Sequence, residues 1–147
     1  VKLKVAWIGR SKDPAINTLS AEYLKRIARY IQVEPAEFSG ESALLKMAEK
    51  PRGRTAPHLV LLDSRGRQIT SEELAELLRQ HQDRGTQSLI FAVGPADGFS
   101  DNSRQKANTV VSLGKMTLAH DLARLVLLEQ LYRAFTILKG HPYHTGH

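Results

Sequence analysis

Apolar positions along the chain switch repeatedly between a period of two and a period near 3.6. Lys2–Ile8 alternates, with Leu3, Val5 and Trp7 on one side, and predicts a first strand. Residues 13–30 carry Ile16, Leu19, Tyr23, Leu24 and Ile27 at helical spacing, with Pro14 near the start. Residues 31–38 return to alternation, and Pro35 marks that strand as an edge or a broken one. A short helix over residues 41–50 leads into a loop, 51–57, punctuated by Gly53 and two prolines. The apolar run 58–62 predicts a buried strand ending at Asp63, and residues 64–68, with Gly66, predict a turn. Thr70 and Glu73 have capping-box spacing, and Leu74, Leu77 and Leu78 line a helix to about Gln82, stopped by Gly85. Ser88–Val93 predicts another buried strand, residues 101–108 a helical turn or two, and 109–113 a strand. The longest helix spans 121–139, and an irregular tail follows from Gly140.

Strand and helix thus alternate about five times, the order of an α/β fold with a mostly parallel sheet flanked by helices. No repeat or linker divides the chain, so residues 1–147 are expected to form a single domain. The 147 residues are 41% hydrophobic and 24% charged, enough to build a core. No apolar run reaches the roughly 18 residues of a membrane span, and the start does not read as a secretion signal. The absence of cysteine excludes disulfides, thiolate metal sites and a cysteine nucleophile, and fits the cytoplasm. The net charge of +6 is uneven: residues 1–57 carry 11 basic and six acidic side chains, and residues 58–100 carry four and six. Basic ends suit a polyanion partner; they equally suit a basic protein with no such partner.

Alternating β/α order invites a nucleotide-binding reading, but the phosphate loops are missing. Only Gly9 follows the first strand, so there is no G-x-G-x-x-G, and Gly114-Lys115 is followed by Met116 where a P-loop needs Ser or Thr. No G-x-S-x-G elbow occurs. His141, His144 and His147 crowd the tail without a carboxylate or cysteine to complete a set, and no metal site is predicted.

Two glycine turns remain, residues 94–100 and 113–118, each at the carboxyl end of a predicted buried strand. Ligands of open α/β sheets bind there. Both suit a small ligand held by backbone groups against apolar side chains, and both suit plain turns. In the last helix Leu127, Leu128, Leu131, Ala134, Phe135 and Leu138 share one broad face, and Arg124 falls inside it. Such an arginine either snorkels to solvent or enters a site or subunit interface. Glu129 and Arg133, four apart on the other side, read as an ordinary ion pair. The helix is apolar nearly all round, which argues for burial on two sides, as at a dimer interface.

The stretch from Lys115 through His120 and Arg124 to Glu129, Tyr132 and Arg133, closing with His141-Pro142-Tyr143-His144, resembles the C-terminal signature of the large-subunit ribosomal RNA pseudouridine N3-methyltransferases. These are small members of the SPOUT class. The similarity extends to Lys2–Ile8 and Gly9, the Glu22-Tyr23-Leu24 segment, Leu62-Asp63 with Gly66, the Ser71-Glu72-Glu73 helix start and the loop 94–100. It departs at Pro95, Gly114 and Ala119, where the family has glycine, often serine, and proline. Pro95 lacks an N–H, so any cofactor bond to that donor is lost, whereas its carbonyl is kept.

The resemblance implies a C-terminal trefoil knot and a homodimer that binds S-adenosylmethionine. It implies methylation of N3 of a pseudouridine in large-subunit ribosomal RNA, on the assembled ribosome. By position the cofactor would contact Leu62, Gly94, Leu113, Gly114, Lys115, Met116, Thr117 and Leu118. His144 is the candidate base. Arg124 is the candidate stabiliser of the developing anion, a role Arg133 could share. Tyr143 could stack on the target base, with His120 and Arg133 also on the substrate side. Arg124 and the tail are expected to meet over the cofactor. The rivals are a non-enzymatic RNA- or ribosome-binding module and a SPOUT enzyme acting on transfer RNA.

Overall fold

A computed structural model describes residues 1–51, 53 and 55–145. His147 therefore lies outside the described residues. Five parallel strands form one sheet in the order β2-β1-β4-β3-β5: β1 (Lys2–Ile8), β2 (Gln32–Phe38), β3 (His58–Gln68), β4 (Ser88–Val93) and β5 (Thr109–Ser112). The helices are α1 (Pro14–Ile27), α2 (Glu41–Glu49), α3 (Ser71–Arg84), α4 (Asp101–Lys106) and α5 (His120–Leu138). Strand parity divides the core. Leu3, Val5, Val60, Phe91 and Val93 face the layer of α1, α3 and α5, packing on Leu74, Leu78, Leu127, Leu128 and Phe135. Ala6, Ile8, Leu61, Ile90 and Ala92 face α2 and α4, meeting Leu44, Leu45 and Phe99. Pro35 is tolerated because β2 is an edge strand; it pairs with Val5 of β1 on the sheet side.

One element departs from the sequence reading. Residues 64–68 are not a simple turn but the second half of β3. Val111 of β5 pairs with both Leu62 and Arg67, and Ser112 pairs with Gln68. A strand residue has only two edges, so the two halves of β3 flank β5 on opposite sides. The chain crosses β5 at Gly66, where an added Cβ would stand 2.7 Å from the Val110 carbonyl and the Val111 nitrogen. Glycine is required there by close approach of backbone.

The all-round apolar character of α5 also has an explanation inside one chain. Its residues pack on α1, on α3 and on the sheet, which buries Leu127, Leu128, Leu131, Ala134 and Phe135. What remains outside is narrower: Leu122 on α5 and Leu19 on neighbouring α1 are 43% and 48% exposed. No helix among the described residues is long and apolar enough to cross a membrane.

Candidate active site

The carboxyl ends of β3, β4 and β5 send three loops to the same side of the sheet, and between them lies a cavity of about 300 Å³. That is the lower end of the roughly 300–1,000 Å³ of small-molecule clefts. Leu62 and Val93 form its floor. Gly94, Pro95 and Gly98 form one wall, Leu113, Gly114, Met116, Thr117 and Leu118 another, and His120 and Ala123 close it from α5. Seven of the eight cofactor positions expected from the sequence line this cavity; Lys115 is exposed and does not.

Two features make the walls receptive. Leu113, Met116 and Leu118 are 39%, 87% and 37% exposed, so apolar surface faces the opening. Among the described residues, the N–H groups of residues 115–118 have no hydrogen-bond partner. Ser112 Oγ ties down the loop's first turn, donating to the Gly114 carbonyl (2.9 Å) and accepting from its N–H (3.1 Å). Gly114 has φ +141° and nothing within 4 Å of an added Cβ. A flat heteroaromatic ring with polar edges fits such a slot: leucines for its faces, backbone groups for its edges. The Pro95 carbonyl accepts the Gly98 N–H (2.9 Å), so part of its capacity is already used within the loop.

Asp63 holds the 94–100 loop in place, a role the sequence reading missed. Its carboxylate accepts from Arg65 N (2.9 Å), Arg65 Nε (2.8 Å), Arg65 Nη2 (2.9 Å) and Phe99 N (2.9 Å). Arg65 Nη2 also donates to the Phe99 carbonyl (2.6 Å), and Arg104 Nη1 donates to the same oxygen (2.8 Å). The Arg65 hydrogen bonds hold the Asp63 pKa far below the usual carboxylate range against the opposing effect of burial. The available signal was an acid at the end of a buried strand with an arginine two residues on.

Arg124 does not snorkel. It is 4% exposed, its guanidinium lies 4.5 Å over the Trp7 ring, and Nη2 donates to Asn17 Oδ1 (3.0 Å). Burial lowers its pKa, opposed by the charges of Asp121 and Glu37. Its Nε has no partner, nor does His120 Nε2 one turn earlier.

The tail is held at the other end of α5. Glu129 pairs with Arg133 (2.8 Å) and accepts from the Tyr143 hydroxyl (2.8 Å). This is a half-buried network, not the ordinary surface pair the spacing suggested. Burial, then hydrogen bonds to Tyr23 and Glu129, push the Tyr143 pKa well above its usual range, so the phenol is a neutral donor. Arg133 Nη1 contacts His144 Nδ1 (3.0 Å), and His144 Nε2 contacts Glu72 Oε1 (2.7 Å). An arginine only donates, so Nδ1 accepts and Nε2 carries the proton given to Glu72. Both ring nitrogens of His144 are therefore engaged.

Arg124 and the tail do not meet within one chain. Nine helical residues, about 13 Å of axis at 1.5 Å each, separate Arg124 from Arg133, and none of Arg133, Tyr143 and His144 lines the cavity. The structure brings His120 to the cavity and leaves the tail residues with one another.

The family described as "Predicted SPOUT methyltransferase" matches residues 1–144. The chain belongs to the SPOUT methyltransferase family. Among similar curated proteins is one from Koribacter versatilis, 58% identical over 147 residues, all of both chains, named "Ribosomal RNA large subunit methyltransferase H". A protein of the same name from Geotalea daltonii is 43% identical, covering 98% of this chain and 99% of its own. A crystal structure titled as a probable methyltransferase from Bordetella pertussis Tohama I shares the fold, with TM-score 0.63 at 13% identity, covering 91% of this chain and 94% of that one. The C-terminal knot is implied by membership of this SPOUT family.

Proposed function

We propose that this SPOUT methyltransferase transfers a methyl group from S-adenosylmethionine to N3 of a pseudouridine in large-subunit ribosomal RNA, on the assembled ribosome in the cytoplasm, as a homodimer. The observation that carries the reading is the three-loop cavity, receptive to a nucleoside-sized ring, in a chain 58% identical end to end to a protein named as a ribosomal RNA large subunit methyltransferase.

When bound, the cofactor supplies an electrophilic methyl on a sulfonium. The chain's residues bind, orient and handle charge. Leu62, Leu113 and Leu118 would hold the adenosyl group by apolar contact, and the N–H groups of residues 115–118, unbonded among the described residues, would meet its polar edges. Asp63, through Phe99 and Arg65, fixes the facing loop, so the reacting atoms can be aligned at about 3–3.5 Å. The N3 proton must leave and imide charge develops; His120 lines the cavity, and Arg124, buried one turn further along α5 and outside the lining, would supply positive charge toward it.

Because Arg133, Tyr143 and His144 sit far from their own chain's cavity, they act on a partner's cavity in a dimer. The exposed Leu19 and Leu122 on adjacent helices support such contact. His144 accepts the N3 proton only after Nδ1 leaves Arg133, and Tyr143, whose ring lies against Arg133 and Tyr132, would stack on the base only with the same rearrangement of the tail.

Calorimetry with S-adenosylmethionine, followed by methyl transfer to purified ribosomes with mass spectrometry of the RNA, tests the reading. Micromolar cofactor binding and a methyl group on one pseudouridine of large-subunit RNA are expected. Methylation of transfer RNA instead, or RNA binding without cofactor binding, would replace it with one of the rival readings.

A further inference from the structure

The end of β1 holds a polar cluster of which only His120 lines the cofactor cavity. Among the described residues four buried side-chain polar atoms lack a hydrogen-bond partner, and three stand here: Ser11 Oγ, His120 Nε2 and Arg124 Nε. Contacts join them. Asn17 donates to the Ser11 carbonyl (3.3 Å) and accepts from Arg124 (3.0 Å). A Cβ on Gly9, whose φ is +95°, would lie 3.4 Å from His120 Nε2. The backbone of the turn thus passes directly against the histidine that closes the cofactor cavity.

The exposed charge at this turn is positive. Arg10 and Lys12 are exposed, and among the described residues neither forms an ion pair. Arg124 is 4% exposed and, among the described residues, has no carboxylate within ion-pair distance, although the charges of Asp121 and Glu37 act on it from farther away. Asp13, Glu37 and Asp121 accept from Ala15 N, Trp7 Nε1 and Leu122 N, so no carboxylate bonds directly to the cations of the cluster. An unmade bond on a buried cation is strongly unfavourable, and an incoming anion would relieve it. The position agrees. The connections from β1 and β4 leave in opposite directions along the sheet, so the crevice between these strands is the topological switch point.

We propose that the β1–α1 turn, residues 9–12, with Arg124 behind it, seats a phosphodiester of the RNA beside the target nucleotide. This rests on the reading that the substrate is RNA. Arg10 and Lys12 neutralise the phosphate, Ser11 Oγ donates to one of its oxygens, and Arg124 adds positive charge from behind the turn. The seat shares His120 with the cofactor cavity, so a strand held here runs past the opening where the methyl group is delivered.

The test is the double variant Arg10→Ala/Lys12→Ala, with Lys46→Ala/Lys50→Ala on and just after α2 as a control of equal charge loss. Cofactor affinity by calorimetry should stay within about twofold in both, which also reports folding. On ribosomes, the double variant should raise KM about 10–100-fold with kcat nearly unchanged, and lower the slope of log(kcat/KM) against log salt by about 0.7, the share of one phosphate contact on a single strand. A KM and slope matching the control would overturn the seat, and an acidic protein segment would then be the anion to seek. If the wild-type protein methylates no ribosomal RNA, the substrate reading fails separately. Fluorescence anisotropy with a short single-stranded RNA then decides the seat: loss of binding and of salt slope in the double variant supports it, and equal binding overturns it.

Discussion

The two ends of α5 are built in opposite ways. From Glu129 onward polar side chains find partners inside the chain: Glu129 with Arg133 and Tyr143, His144 with Arg133 and Glu72, Gln130 with Ser71. At the start of the helix the pattern inverts. His120 and Arg124 keep buried nitrogens unpartnered, and Leu113, Met116, Leu118 and Leu122 face outward. Both ends are polar; only one is unfinished. Groups left unsatisfied in a folded chain mark where another molecule completes the structure, and a finished network is one that can be offered as a rigid unit.

Removing residues from His141 onward breaks that contrast most severely. The rigid end loses Tyr143 and His144 and the cavity loses nothing of its lining. Methyl transfer should fall by about 1,000-fold or more, the scale for losing several groups that act together, while cofactor affinity stays within a few-fold. If the truncated chain still methylates at near-normal rates on ribosomes, the tail is only a helix cap.

Arg124→Ala attacks the unfinished end. Turnover should drop about 10–1,000-fold if this cation meets transition-state charge. Folding should suffer less, because the variant removes one bond to Asn17 and one stacking contact on Trp7. Arg124→Lys should recover only part, since an ammonium lacks the planar fork that spans Trp7 and Asn17. A lowered melting temperature with equal rates would make Arg124 a packing residue.

How legible this contrast is in the sequence depends on the range of each interaction. Strand parity and helical spacing are local, and β1, β4, α1 and α5 follow from them within a residue or two. Arg124 stands out because a cation in an apolar stripe breaks a local rule. Its partners do not, because Asn17 lies 107 residues away. The second half of β3 is illegible for a related reason. Gly66 reads as a turn, and only the backbone of Val110 and Val111 lying across it shows why glycine is needed. Glu129 and Arg133 are legible as a pair; the arrival of Tyr143 and His144, which makes the pair a network, is not. The positions that line the cavity were reached through family resemblance, not periodicity, and Asp63 was overlooked because its link to the facing loop, through Phe99 N, spans 36 residues.

Within the cavity, two variants separate wall from support. Leu118→Asp places a carboxylate on an already exposed wall position, so stability should hold while cofactor affinity falls about 10-fold or more, the value of one desolvated polar mismatch. Gly114→Val is a poorer probe than its open surroundings suggest, because φ +141° strains any branched side chain. Asp63→Asn keeps the shape but weakens the Arg65 pairing and turns one acceptor into a donor facing Phe99 N or Arg65. It should lower cofactor affinity several-fold with a measurable loss of stability, whereas Leu118→Asp should show the first effect alone.

The opposite end of the strands provides the mildest comparison, because it too holds two nitrogen-bearing rings, His81 buried and His58 half-buried, each with a hydrogen-bond partner. At the amino ends of the strands His58 Nε2 meets Thr109 Oγ1 (3.1 Å), His81 Nδ1 meets Thr86 Oγ1 (2.8 Å), and the rings contact edge to face at 4.2 Å. Burial, and then the charges of His81 and Arg84, push the His58 pKa down from 6.5 to about 4, and burial lowers His81 in the same direction. The folded state therefore binds fewer protons than the unfolded chain between about pH 4 and 6.5. Its stability is complete above about pH 6.5 and declines as pH falls toward 4, by about 1–3 kcal/mol from His58 after solvent screening. Denaturant midpoints at pH 7.5 and pH 4.5 measure the decline. His58→Gln keeps a side chain able to bond Thr109 and removes the titration, so its midpoint should change less over the same range. If the wild-type and variant curves are parallel, the histidine pair is not what the acid limb of stability reports.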